Sequence, residues 1–151
     1  MTTPSYFCSK PSNIKAFVLG CDPTAFTKTE KEKPIGERKH LEFKVVFDIG
    51  GDPRYFAGIL ANLVEVGLGL DDIYVQNLVT DYQQEESSKN KNWIKIAQDY
   101  IAPRMKEFDD IDPSRKIPVL LTSELLYKAL LNMGKKRIPA KEFYDLMAEI
   151  P

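Results

Sequence analysis

The 151 residues, 43% apolar and 28% charged, suit one domain around one hydrophobic core and exclude disordered, collagen-like and coiled-coil chains. With 21 Lys and Arg against 22 Asp and Glu the formal charge is −1, so the basic bias of proteins that hold long duplexes is missing, and nucleic acid would meet only a local basic rim. Cys8 and Cys21 form no Cys-x-x-Cys pair, no apolar run nears the ~20 residues of a membrane helix, and Met1 to Lys15 lacks a continuous apolar leader; the expectation is a cytoplasmic protein without disulfides, zinc, membrane span or secretory signal.

In chain order, Ala16 to Leu19 is a short apolar run closed by Gly20, the pattern of a strand buried on both faces. Cys21-Asp22-Pro23-Thr24 then turns the chain. Thr27 to Arg38, rich in Lys, Glu and Thr with Pro34 and Gly36, reads as an exposed, solvated loop. Phe43 to Phe47 is expected as a second strand, stopped at Gly50-Gly51-Asp52-Pro53. The spacing of Tyr55, Ile59, Leu63 and Val66 predicts an amphipathic helix ending at Gly67.

Ile73-Tyr74-Val75 is the next strand, with Asn77 at its end. Glu85 to Asn92 is polar and loop-like. Ile94, Ala97, Ile101, Met105 and Phe108 then predict a long helix from Trp93 to Phe108, kinked or divided at Pro103. Pro118 to Leu121 is the fourth strand. Ser123 caps a helix from Glu124 to Asn132 that Gly134 closes, and Lys141 to Glu149 is a last short helix.

Strands alternating with helices predict one α/β domain over residues 1–151: a three-layer α/β/α sandwich with a short, mostly parallel four-stranded sheet. Ligands of such sheets sit outside the carboxyl ends of the strands. That rule points to Gly20–Thr24 and to Asn77–Asp81.

Asp22, following a buried strand, can position a water or stabilise developing positive charge. The same carboxylate can instead bond local amides in an Asp-Pro turn, the reading the motif alone favours. Gly20 permits close approach of a ligand. Asn77 offers donors and an acceptor together, enough to read the edge of a base, or else to satisfy loose backbone groups. His40, the only histidine, reads as a surface residue in Glu37-Arg38-Lys39-His40. Neither a Gly-x-Ser-x-Gly elbow nor a phosphate loop occurs, and Thr122-Ser123 reads as a helix start.

Taken together, the segments resemble the uracil-DNA glycosylase superfamily. Val18-Leu19-Gly20-Cys21-Asp22-Pro23 is similar to the family's water-activating motif. Leu41-Glu42-Phe43-Lys44-Val45 is similar to the strand whose phenylalanine stacks on uracil, with Phe47 a competing candidate. Leu60-Ala61-Asn62-Leu63 resembles a Leu-x-Asn-Ile helix, and Tyr74-Val75-Gln76-Asn77-Leu78-Val79-Thr80 the segment whose asparagine recognises the base. Asn92-Trp93 and Pro118 to Leu121 parallel two later pieces, so the ordered likeness covers residues 16 to 131.

The resemblance implies DNA as partner, single-stranded or with a flipped base, and no cofactor or metal. It makes Asp22 catalytic and Phe43, Phe47, Asn77, Gly20 and Cys21 base-binding. Two departures stand out. Thr24 and Ala25 replace the bulky residues that gate against thymine. The family's late His-Pro-Ser loop has no counterpart: Ile138-Pro139-Ala140 falls near its slot, or the chain stops before it. Losing one preorganised donor to a developing anion costs about 10²–10³ in rate. The implied function is therefore N-glycosidic hydrolysis of a base in DNA, slow or altered, with an inactive glycosylase-fold module for nucleic acid or nucleotide as the alternative and an interaction scaffold as a third reading.

Overall fold

The computed structural model describes residues 2–131. In chain order its strands and α-helices are β1 (Ala16–Gly20), α1 (Lys28–Lys31), α2 (Ala57–Glu65), β2 (Ile73–Asn77), α3 (Trp93–Ile111), β3 (Val119–Leu121) and α4 (Glu124–Leu131), with short 3-10 turns between them. The described residues thus form an α/β fold on a small parallel sheet of three strands, ordered β2-β1-β3.

Every residue of β1 and β2 is buried, which explains why both read as short apolar runs rather than alternating ones. The period of two sorts their side chains onto opposite faces. Phe17, Leu19 and Tyr74 pack with Trp93, Ala97, Ile101 and Phe108 of α3 and Leu126 and Ala129 of α4. Val18, Ile73 and Val75 pack on the other face with Val46, Ile49 and Leu63 of α2.

The second of the four expected strands, over Phe43 to Phe47, does not form. One isolated bridge, Ser5 to Val45, is the extent of its pairing. Beyond it the chain turns at Val46–Asp48, with Phe47 (φ 56°) and Asp48 (φ 50°) in the left-handed region. Two successive non-glycine residues there cost about 1–3 kcal/mol each and persist only where neighbours hold them. Here the Asp48 carbonyl accepts from Gly51 N–H (2.8 Å) and its carboxylate from Asp52 N–H (2.8 Å). A Cβ at Gly51 would lie 2.5 Å from the Asp48 carboxylate, so the turn needs glycine there.

Helix α3 runs unbroken through Pro103, which is exposed and lies on the solvent side. The residue that loses its bond partner, Asp99, is also exposed, so water can satisfy its carbonyl. The buried face of α3 is Trp93, Ala97, Ile101, Arg104 and Phe108. Arg104 replaces the expected Met105, which is 44% exposed. Val66, expected on the inner face of α2, is likewise exposed. Within the expected loop of residues 27–38 lies α1, capped by Thr27 Oγ1, which accepts from Glu30 N–H (3.3 Å). The helix expected over Lys141 to Glu149, and Ile138 to Ala140, lie outside the described residues.

Candidate functional site

The site follows from the strand register. Gly20 at the end of β1 is the partner of Asn77 at the end of β2. The ladder runs on through Leu78 N–H to Gly20 O (2.8 Å) and Val79 N–H to Cys21 O (2.9 Å). Because the strands are parallel, the loop carrying Asp22 and the tip carrying Asn77 leave the sheet on the same edge. Asp22, Phe43, Phe47 and Asn77 line one cavity of about 180 Å³, together with Pro4, Tyr55 and the Pro23–Ala25 turn.

Gly20 forms the close floor of this arrangement. A Cβ there would overlap Asn77 Oδ1 and the Phe47 ring, so only glycine lets the two side chains meet over β1. The left-handed backbone at Phe47 is what brings its ring to that spot. Phe43 reaches the cavity from the preceding segment and packs on Tyr55, ring centroids 4.8 Å apart.

Asp22 is half-buried, and its two carboxylate oxygens accept from different donors. Oδ1 accepts from Thr24 N–H (2.7 Å), the local Asp-Pro turn. Oδ2 accepts from the indole Nε1–H of Trp93 (2.7 Å), at the start of α3. Burial raises the Asp22 carboxyl above its ordinary range. Hydrogen bonds from Thr24 and Trp93 oppose the rise, and the charge of Glu86 adds to it. Thr24 is itself fixed, its Oγ1 accepting from Gln83 N–H (2.7 Å).

Asn77 is 5% exposed. Its backbone N–H donates to Gln76 Oε1 (3.0 Å), while its side-chain amide makes no hydrogen bond among the described residues. Asn77 lines the cavity, so its amide can offer a ligand there both donors and an acceptor.

Cys21 and His40 stand apart from the cavity. The Cys21 thiol faces Ser123 and Ser87, and burial pushes its pKa up. It packs with the α3 side of the core and does not line the cavity. His40 is half-buried rather than a surface residue. Its ring lies against Phe26 and Tyr82, with Nε2 at the Gln83 carbonyl. Ser123 Oγ accepts from Leu125 N–H (3.2 Å), and Thr122 Oγ1 donates to Leu19 O (2.9 Å); both serve structure.

Trp93, Tyr55 and Pro4 line or support the site but are not among the site residues expected from sequence, where Trp93 enters as a helix start and Tyr55 as a helix-face residue. The available signals for Trp93 are that it is the chain's sole tryptophan, at the start of a helix, and that Asn92-Trp93 is a piece of the resemblance. Tyr55 was masked by a spacing that suits a core helix, and Pro4 carried no signal. Among the described residues, no group of three His, Cys, Asp or Glu is placed to hold a metal ion, and no helix is long and apolar enough to cross a membrane. No protein-family model, curated protein or solved structure matches this chain.

Proposed function

We propose that the cavity receives a single nucleobase, flipped from a duplex or presented by a single strand, and that the chain is a uracil-DNA glycosylase-like protein. The observation that carries this reading is the shared cavity: the Asn77 amide, without a hydrogen-bond partner among the described residues, and the Asp22 carboxylate line one space walled by Phe43 and Phe47. The aromatic rings stack on the base and Asn77 bonds its polar edge. The two core clusters on opposite sheet faces support the α/β/α layering of that superfamily. A cytoplasmic location belongs to the same reading.

In the hydrolytic form, Asp22 orients a water at the anomeric carbon. The water oxygen bonds that carbon, the carbon–nitrogen bond breaks, and its electron pair leaves with the base. The water's proton reaches the base by way of Asp22. The small residues Thr24 and Ala25 leave room beside the base for a C5 substituent.

Incubation with uracil-containing single- and double-stranded DNA, followed by alkaline cleavage of abasic sites, tests the reaction. Product that disappears in Asp22→Asn supports it, and no product from the wild type ends the catalytic claim. A second reading is binding without turnover, favoured because both Asp22 oxygens already accept hydrogen bonds. That reading requires salt-dependent affinity for single-stranded DNA that falls about tenfold or more in Asn77→Ala. Equal affinity in that variant removes it.

A further inference from the structure

We propose that Trp93 is the positioning residue of this site, holding the Asp22 carboxylate in place through its indole N–H. The inference rests on Asp22 as the working carboxylate of the cavity. It stands on geometry that nothing local to Asp22 requires. The Asp-Pro turn is complete with Oδ1 and Thr24 N–H alone. Oδ2 is held instead by a side chain 71 residues away, at 2.7 Å.

The indole is well suited to the task. Trp93 is fully buried and packs with Leu78, Val79 and Ala97, so its ring cannot follow a moving partner. It carries one donor and no acceptor, and that donor points at the carboxylate. A neutral donor restrains the carboxylate without cancelling its charge, as a guanidinium would. Among the described residues no cation lies within ion-pair distance of Asp22. The titratable groups facing it are the Cys21 thiol beside it and Glu86 from the loop before α3. Glu86 is itself paired with Lys31 (3.1 Å).

Because the chain has one tryptophan, one indole resonance reports this contact directly. Proton–nitrogen correlation spectra of labelled full-length protein, recorded from acid to neutral pH, should show that resonance titrating with Asp22. In Asp22→Asn it should shift and lose its pH dependence. An indole resonance at the same position in both proteins, and flat with pH in the wild type, overturns the proposal. This arm leaves Trp93 in place and needs no turnover, so a missing contact sinks the inference independently of whether uracil DNA is cleaved.

Trp93→Phe supplies the catalytic arm. The expected result is a fall in kcat of about tenfold or more with KM within about twofold, the size of one lost hydrogen bond to a charged group. The acid limb of the pH–rate profile moves upward, because one of the bonds favouring the ionised carboxyl has gone. A variant that folds and keeps both the wild-type kcat and its pH profile overturns the proposal.

Discussion

Glu107 on α3 and Asp22 after β1 are both half-buried carboxylates against the same sheet, and the protein treats them in opposite ways. Glu107 bonds the Arg104 guanidinium, and it accepts from Tyr74 Oη–H (2.6 Å) and Gln76 Nε2–H (3.3 Å). Arg104 in turn donates to the Leu78 carbonyl from Nε (3.2 Å) and Nη2 (3.1 Å). The charge is cancelled and the network is closed. The Tyr74 hydroxyl is driven well up by burial first and by Glu107 second, so it stays a neutral donor. Asp22 receives two neutral donors and opens onto a cavity. A carboxylate with a counter-ion braces a fold, whereas one held without a counter-ion stays available to a ligand.

The sharpest way to break that contrast is to neutralise each carboxylate site in turn. Asp22→Asn should lower the rate of abasic-site formation by about 10²–10⁴-fold, the usual contribution of a positioned acid–base group. A variant retaining most of the wild-type rate in the cleavage assay would make Asp22 a turn residue only. Arg104→Met should act on stability instead. It strands a partly buried Glu107 and an orphaned Leu78 carbonyl, at a cost of about 3 kcal/mol in urea unfolding. A loss under 1 kcal/mol would show that the network does not brace the sheet.

Gly20→Ala tests the floor between the two strand tips. The added methyl overlaps Asn77 and Phe47, with an expected cost of about 1–3 kcal/mol and weakened base binding. Wild-type stability and affinity by thermal melts and fluorescence titration would mean that Phe47 swings away freely. The smallest effect is in pH. The Asp22 carboxyl is raised on folding, so the native state binds its proton more tightly than the unfolded chain does. Its contribution to stability is therefore greatest at low pH. It declines as pH rises through the window between the ordinary carboxyl value and the folded one. Melting temperatures of the wild type relative to Asp22→Asn should fall over that window. A flat difference would contradict the burial. Asp52, Asp71, Asp72 and Asp109, all lowered, act in the opposite sense at more acid pH, and the comparison cancels them.

Much of the scaffold was legible because it rests on local periodicity and burial. β1 and β2 are buried on both faces, so each appears as an uninterrupted apolar run ending in a small or polar residue. Helices α2, α3 and α4 follow the 3.6-residue repeat. Phe43 to Phe47 shows where that logic stops. Its apolar composition suits a strand, but the left-handed backbone at Phe47 and Asp48 depends on bonds to Gly51 and Asp52. Arg104 was hidden for a different reason. A charged residue is expected outward unless a buried partner is known, and Glu107, Leu78 and the strands beneath them come together only on folding.

The order of elements along the chain was enough to place Asp22 and Asn77 at the carboxyl ends of parallel strands, because right-handed crossovers return each strand in the same direction. It could not supply the register that pairs Gly20 with Asn77, nor the turn that swings Phe47 over them. Nor could it supply the indole from 71 residues away that holds the carboxylate. Those are contacts between distant segments, and their geometry is fixed by packing rather than by any neighbour in sequence.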